Sequence, residues 1–401
     1  VGKISIYDLK QKQKTLSVDY GADLATITHY LHNKDYAEAL CFEKSADCAV
    51  EQYVASMHGA DGTTMAKVYC DLKEEAFAVP FAPKDDCAFR FIDLFAGIGG
   101  FRLALHYLGG KCTYSNEWDV NAQKTYRANY GEVPFGDITR SESKDFVPAG
   151  FDILCGGFPC QAFSIAGYQK GFSDTRGTLF FDIQQIAEKH RPKVLFLENV
   201  KNLVNHDKGK TFKVILEILE KKLKYKVFHK VLNSMTHANI PHNRERIFII
   251  AFDPVKVPRY EEFSFPEPIP LTKTIHDLLL KEKQDDAYYY KETHQYYPEL
   301  DRSITSRDTL YQWRRVYVRE NKSNVCPTLT ANMGSGGHNV PILRDDFGIR
   351  KLTPRECFRF QGFPDSFCLP EIARGKLYMQ AGNSVTMPLI QRIGENILRV
   401  L

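Results

Sequence analysis

Three kinds of side chain in this 401-residue sequence stand where they could do chemistry. Cys160 lies in Gly156-Gly-Phe-Pro-Cys-Gln-Ala-Phe-Ser, directly after the strand-like run Phe151-Asp-Ile-Leu-Cys. A thiolate is the strongest side-chain nucleophile near neutral pH when its surroundings lower its pKa. Pro159 fixes the approach of the chain to it. The nearest cysteine, Cys155, is five residues away, so the spacing is not that of a Cys-x-x-Cys redox pair. Taken alone, a loop cysteine also reads as an inert thiol. Glu198 ends the run Leu195-Phe-Leu-Glu-Asn-Val, where desolvation would raise its pKa and suit it to donate a proton. The alternative is a carboxylate capping the following helix. Arg244 and Arg246, in His242-Asn-Arg-Glu-Arg-Ile-Phe-Ile-Ile, fall two apart and so on one face of a strand. Such a pair can hold a substrate phosphate or orient a carboxylate, or it can be surface charge.

A second constellation suits a nucleoside-bearing cofactor. Phe91-Ile-Asp-Leu-Phe-Ala-Gly-Ile-Gly-Gly-Phe reads as a strand, a glycine turn and a helix start. Gly97, Ile98, Gly99 and Gly100 let a ligand approach the backbone of that turn. A dinucleotide fingerprint would need glycine at position 102, which is Arg102. Glu117 ends the next strand, where a carboxylate can bind ribose hydroxyls. Trp118 offers a flat face for adenine. Asp137, in Phe135-Gly-Asp-Ile with Ile138, could accept the adenine amino group. The plainer alternative is a structural turn beside a core aromatic.

These residues must be positioned by the elements around them. Strand-like runs at Phe91–Phe95, Lys111–Tyr114, Phe151–Cys155, Lys193–Leu197, Tyr225–Leu232 and Arg246–Phe252 alternate with helical patterns such as Phe212–Glu220. That alternation predicts a doubly wound α/β sheet, with ligands at the carboxyl ends of its strands. The candidate residues fall in those loops. Pro258, Pro266, Pro268 and Pro270 then break the pattern. The reading is therefore an N-terminal extension (1–88) of no evident motif, a catalytic and cofactor-binding α/β domain (89–253), a smaller domain (254–345) and a C-terminal segment (346–401). That last segment ends in an amphipathic helix from Pro388 and is expected to return to the α/β domain.

Composition bounds the rest. With 43% hydrophobic and 25% charged residues the chain has the balance of a soluble globular protein, and no apolar run is long enough to span a membrane. Ten irregularly spaced cysteines and a start, Val1-Gly-Lys-Ile-Ser, without signal character lead us to expect a cytoplasmic protein with reduced thiols. The cysteines at 41, 48, 70 and 87 lack zinc-site spacing, and no metal is expected. Net charge is only +4, with the first ninety residues slightly acidic, so a polyanion would dock on the remainder.

Phe-Ala-Gly-Ile-Gly-Gly-Phe, Gly-Phe-Pro-Cys-Gln, Glu198-Asn-Val, Arg244-Glu-Arg and Gly382-Asn-Ser-Val occur in one order. Together, over residues 89–401, they closely resemble the bacterial DNA cytosine carbon-5 methyltransferases of restriction–modification systems. The resemblance implies a Rossmann-like S-adenosylmethionine-dependent methyltransferase domain with a small target-recognition domain. It implies that Cys160 attacks carbon-6 of a flipped cytosine, that protonated Glu198 donates to ring nitrogen 3, and that Arg244 and Arg246 belong to the catalytic set. It places S-adenosylmethionine against Phe95, Glu117, Trp118, Asp137, Pro159, Leu179, Asn383 and Val385. Gln161, Ser164 and Arg176 match the loop that closes over DNA, and Pro327-Thr-Leu-Thr-Ala, with Thr328, matches the target-recognition element. His242 departs from the family, which usually has Gln there. The implied partners are double-stranded DNA and, in the same system but not necessarily bound, a companion restriction endonuclease. A monomer is implied.

Two rivals share the scaffold, a transfer-RNA cytosine methyltransferase and a catalytically silent DNA-binding protein. The inserted domain favours the first reading over the former; intact Cys160, Glu198 and Arg246 favour it over the latter. Residues 311–345 carry Arg314, Arg315, Arg319, Lys322 and Arg344 interleaved with Tyr311, Trp313 and Tyr317, and end in a Gly-rich loop. This stretch is expected to contact phosphates and base edges.

Overall fold

The apolar runs become strands of one six-stranded sheet in a computed structural model that describes residues 4–5, 20–56, 64–84, 86–159, 179–335 and 339–401. The strands are β1 (Phe89–Leu94), β2 (Gly110–Ser115), β3 (Ile153–Gly157), β4 (Val194–Val200), β5 (Lys226–Asn233) and β7 (Glu245–Phe252), in the order β2-β1-β3-β4-β7-β5. β1 runs parallel to both β2 and β3, and β3 parallel to β4. Val194 to Leu197 of β4 are wholly buried, as continuous apolar runs are when helices cover both faces of a sheet. The chain leaves β1 for β2 and then returns to the other side of β1 as β3. Strand order therefore reverses there, and the crevice beyond the carboxyl ends of these strands is where ligands bind in open α/β sheets. Helices α4 (Gly100–Tyr107), α5 (Val120–Tyr130) and α6 (Leu179–His190) lie between the strands in sequence.

The chain forms two compact units, Val1–Lys230 with Ile247–Phe263 and Ile397–Leu401, and Val231–Arg246 with Ser264–Asn396. These differ from the boundaries read from composition. Residues 346–396 pack in the second unit and only the last five residues join the first. In the second unit, β8 (Tyr311–Arg314), β9 (Tyr317–Glu320), β11 (Ile342–Asp345) and β12 (Gly348–Lys351) make an antiparallel sheet of order β12-β11-β8-β9. β6 (His242–Asn243) and β10 (Cys326–Pro327) pair separately, in parallel. Buried Arg350 explains why the strand after residue 345 belongs here. It gives Glu356 a bidentate pair at 2.8 Å while its Nε donates to Asp345. Glu356 also closes a capping box with Thr353 at the start of Pro354–Arg359.

The N-terminal extension is not a tail on the first unit. Its helices α1 (Tyr20–Asn33), α2 (Glu43–Ser56) and α3 (Met65–Phe77) belong to that unit, and α1 is buried from Leu24 to Asn33 without a break. A helix buried all round must satisfy its own polar groups. One of them, His32, meets Glu132, which is wholly buried. Glu132 accepts from Arg102 Nη1 at 2.6 Å and Ser115 Oγ at 2.6 Å, and lies 3.1 Å from His32 Nδ1. Burial raises this carboxyl, but the Arg102 guanidinium together with His29 and His32 outweighs burial and holds Glu132 well below the usual range. A carboxylate held down in the folded state stabilises fully above its unfolded pKa and loses that contribution as pH falls through the folded value. Arg102→Met strands the buried charge and is expected to cost about 3–5 kcal/mol near neutral pH. The deficit should shrink in acid. Denaturant melts at several pH values check this; a neutral-pH cost below about 1 kcal/mol refutes it.

Candidate active site

The glycine turn follows β1 and brings its neighbours together as the spacing suggested. Phe95 and Gly97 adopt left-handed φ values of 53° and 55°, and Gly99, at 82°, would put a Cβ 2.3 Å from the Tyr130 ring. A Cβ on Gly97 would meet nothing within 4 Å, so the turn opens onto free space there. Glu117 is buried at the end of β2 and accepts from Gly97 N at 2.8 Å and Asp119 N at 2.7 Å. Burial raises its pKa, and these N–H donors work against that. Beside it Trp118 is 81% exposed, so the core-aromatic alternative fails. Asp137 is exposed and accepts from Thr139 N and Oγ1, while Ile98, Gly100 and Ile138 are buried. Two segments are zipped together here. Glu117 N donates to Phe135 O at 2.8 Å, and Phe135 N to Ser115 O at 2.9 Å.

Cys160, Gln161, Ser164 and Arg176 lie outside the described residues; Pro159, exposed, and Leu179, at the start of α6, flank them. The strands leading to Cys160 are described. Gly157, near the end of β3, pairs in register with Glu198 of β4. A Cβ at Gly157 would lie 3.2 Å from Glu198 Oε2, so the missing side chain leaves room for the carboxyl. Glu198 is buried. It caps no helix, because the next turn, Lys201–Val204, takes Val200 as its N-cap without a side-chain bond. Asn199, which sequence reasoning passed over, donates from Nδ2 to Phe158 O at 2.8 Å and ties the end of β4 to the residue two before Cys160. Asp93 was missed as well. Burial raises it to about 7, and Cys155 Sγ donates to it at 3.7 Å. The Cys155 thiol is itself pushed far up by burial, then by Asp93, so it is no competing nucleophile.

In the second unit Arg244 is buried. Its guanidinium donates to Leu329 O at 2.8 Å, Gly382 O at 3.1 Å and Ser384 O at 2.6 Å, the last two flanking Asn383. It therefore positions backbone, and its burial sets aside the surface-charge alternative. Arg246 is half-buried, with Nη1 donating to Glu245 O. His242 accepts the Leu329 N–H at Nε2, 3.1 Å away, and its Nδ1–H meets Phe360 O at 3.0 Å. Burial and the two neighbouring arginines keep this ring neutral. The departure from Gln thus keeps one donor and one acceptor. Thr328 Oγ1 donates to Asn243 O, and Val385 is buried.

The basic stretch divides differently from its sequence. Tyr311 is wholly buried and Trp313 stacks on Tyr296 at 4.5 Å, so both aromatics serve the core of Leu300, Ile304, Ile342 and Ile349. Arg344 pairs with Asp301. Arg314, Arg315, Arg319 and Lys322 are exposed and make no ion pair with the described residues, and the first three stand on the hairpin around the β8–β9 turn, where Tyr317 is 54% exposed. Among the described residues no cluster of His, Cys, Asp or Glu is arranged to hold a metal ion, and no helix is long and apolar enough to cross a membrane.

A glycine turn facing a buried carboxylate, and a second buried carboxyl in register with the strand that leads to Cys160, place polar groups at the carboxyl ends of an α/β sheet, where such folds bind ligands. The chain belongs to the C-5 cytosine-specific DNA methylase family, whose model matches residues 89–399. It is a DNA (cytosine-5)-methyltransferase of the restriction–modification kind, and the family depends on S-adenosylmethionine. It is 53% identical over 314 residues to the type II methyltransferase M.Bsp6I of Bacillus sp. (strain RFL6), covering 77% of this chain and 98% of that one. It is 39% identical over 373 residues to the type II methyltransferase M.SsoII of Shigella sonnei, covering 93% and 95%. The crystal structure of the S. pombe Dnmt2 methyltransferase is similar in fold, with a TM-score of 0.56 at 18% identity over 78% of this chain and 98% of that one. The family match sets aside the transfer-RNA reading.

The Arg244 geometry makes a direct prediction. Arg244→Met leaves three carbonyls without their donor, at about 1–3 kcal/mol for each buried group left unsatisfied. The expected cost in denaturant melts is roughly 3 kcal/mol or more. Arg244→Lys should recover less than half of it, because an ammonium lacks the planar fork. A loss under about 1 kcal/mol in the Met variant rules the positioning role out.

Proposed function

We propose that the enzyme methylates carbon-5 of a cytosine flipped out of duplex DNA, through a covalent adduct on Cys160, with Glu198 as the acid. The observation that carries this is the register of Gly157 with Glu198, three residues before Cys160, reinforced by the bond from Asn199 to Phe158 O. It supports a carboxyl and a thiol working on one ring. A stacked base cannot reach the end of a sheet strand, so it must leave the helix. The Cys160 thiolate adds to carbon-6, and Glu198 passes its proton to nitrogen 3 as charge develops there. Carbon-5, now electron-rich, takes the methyl group. A base then removes the carbon-5 proton, nitrogen 3 returns its proton to Glu198, and the thiolate leaves as the 5,6 double bond re-forms. Covalent addition divides one hard step into easier ones.

S-adenosylmethionine supplies an electrophilic methyl group when bound. The open space over Gly97, the buried Glu117 carboxylate and the exposed Trp118 face fit an adenosine-bearing group. Glu117 would bind the ribose hydroxyls, Trp118 the adenine face and Asp137 its amino group. Phe95, Ile98, Ile138, Pro159 and Leu179 would line the site, and the family likeness adds Asn383 and Val385. Arg246 is proposed to belong with Arg244 to the catalytic set, and Gln161, Ser164, Arg176 and Thr328 to meet DNA, with residues 254–345 setting the target site. We place the enzyme in the cytoplasm, as a monomer serving beside a restriction endonuclease.

DNA carrying 5-fluorocytosine at the target tests the mechanism, since fluorine cannot leave as a cation and the adduct is trapped. Peptide mapping should find the adduct on Cys160, and Cys160→Ser should abolish both adduct and turnover while still binding DNA. Glu198→Gln should lose about 10² to 10⁴ in the methyl-transfer rate. An adduct on another cysteine overturns the scheme. For the β8–β9 turn, each phosphate contact contributes roughly 0.9 to the slope of log affinity against log salt. Replacing Arg314, Arg315 and Arg319 with Gln should therefore flatten that slope by about 2 to 3. An unchanged slope would move DNA contact elsewhere.

A further inference from the structure

We propose that helix α1 of the N-terminal extension is a positioning element of the cofactor site, with His29 as its key residue. This rests on the reading of Glu117 and Asp137 as cofactor residues. Two segments carry those residues, the end of β2 leading to Glu117 and the stretch 132–137 leading to Asp137, and α1 grips both. His29 Nε2 accepts the Ser115 N–H at 3.0 Å, and Asn33 Nδ2 donates to Thr113 O at 3.3 Å. On the other segment Thr28 Oγ1 accepts the Val133 N–H at 3.0 Å, and His32 meets Glu132. All four side chains of α1 are buried.

The chemistry of His29 is set by its partners. Its Nδ1–H donates to Ala25 O at 2.8 Å, which leaves Nε2 as the acceptor that Ser115 requires. Burial lowers its pKa to about 4, against the pull of Glu132, so the ring is neutral and keeps that acceptor at working pH. Nε2 also lies 3.3 Å from Glu132 Oε1, but with a neutral ring this is a close approach and not an ion pair.

β2 is the edge strand of the sheet, so the outward Ser115 N–H has no strand to receive it. Ser115 stands two residues before Glu117. Its own carbonyl accepts from Phe135 N, and Glu117 N donates to Phe135 O. Releasing Ser115 from α1 therefore loosens the strand end that aims the Glu117 carboxylate at Gly97. The extension lies outside the family match, which begins at residue 89.

The test is binding of S-adenosylhomocysteine by calorimetry, alongside thermal melting. His29→Leu keeps the bulk and removes the acceptor, and the buried N–H left unsatisfied should weaken binding about fivefold or more. KM for S-adenosylmethionine should rise, with kcat at saturation and DNA affinity within about twofold of the parent enzyme. His29→Gln, whose amide oxygen replaces Nε2, should restore binding. Should His29→Leu fail to fold, the near-isosteric Thr28→Val is read instead and should weaken binding in the same direction. Lower melting temperature with unchanged cofactor affinity, in whichever of the two is read, overturns the proposal. Glu117→Ala separates this from the underlying site assignment: if that variant binds as the parent does, the cofactor reading itself has failed.

Discussion

A carboxylate with no access to water is tolerated only if donors surround it, and Glu132 imposes that condition on the first unit. The donors come from three places in the chain. Arg102 arrives on the helix after the glycine turn, Ser115 at the end of β2, and His32 on α1. Removing such a charge's partner costs several kcal/mol, far more than a surface pair would contribute. Arg102 occupies the position where a dinucleotide fingerprint would have glycine, so the absence of that motif and the presence of this anchor are one fact. The anchor also binds the extension into the unit.

At the carboxyl ends of the strands the constraint is space. Gly157 has no side chain, and the carboxyl of Glu198 occupies the room opposite. Burial makes ionisation of a strand-end carboxyl costly, which is the environment a proton donor needs. Asn199 then uses its amide to tie the same strand to Phe158. One strand end thus presents a buried carboxyl and braces the segment that leads to Cys160. The neighbouring Cys155 and Asp93, equally buried, face each other.

The second unit uses arginine in two ways. Arg244 and Arg350 are buried among carbonyls and carboxylates, where the planar fork satisfies several acceptors at once. Arg314, Arg315 and Arg319 are left exposed around a turn whose strands are held by the Tyr311 and Trp313 side chains. His242 and Arg244, two residues apart, take the N–H and the carbonyl of Leu329 respectively. The segment next to Thr328 is therefore held at both of its polar groups by side chains from another element.

Much of this could be read from the chain alone. The six strands lie within a few residues of their apolar runs, and the glycine turn, Glu117 and Glu198 stand at strand ends as their spacing required, because strand period and turn chemistry are local properties. The family motifs are local too, so the activity was legible in them. What sequence could not tell is which distant group satisfies a buried polar atom. His29 and Ser115 are 86 residues apart, and nothing near either names the other. Arg244 and Arg246 look alike in sequence, but only packing buries the first among carbonyls. Tyr311, Trp313 and Arg344 looked like a nucleic-acid surface until the core and Asp301 claimed them. Domain limits read from composition missed that Arg350 ties residues past 345 into the second unit. Burial is a property of the whole fold, and it alone decides whether a charge is structural or available.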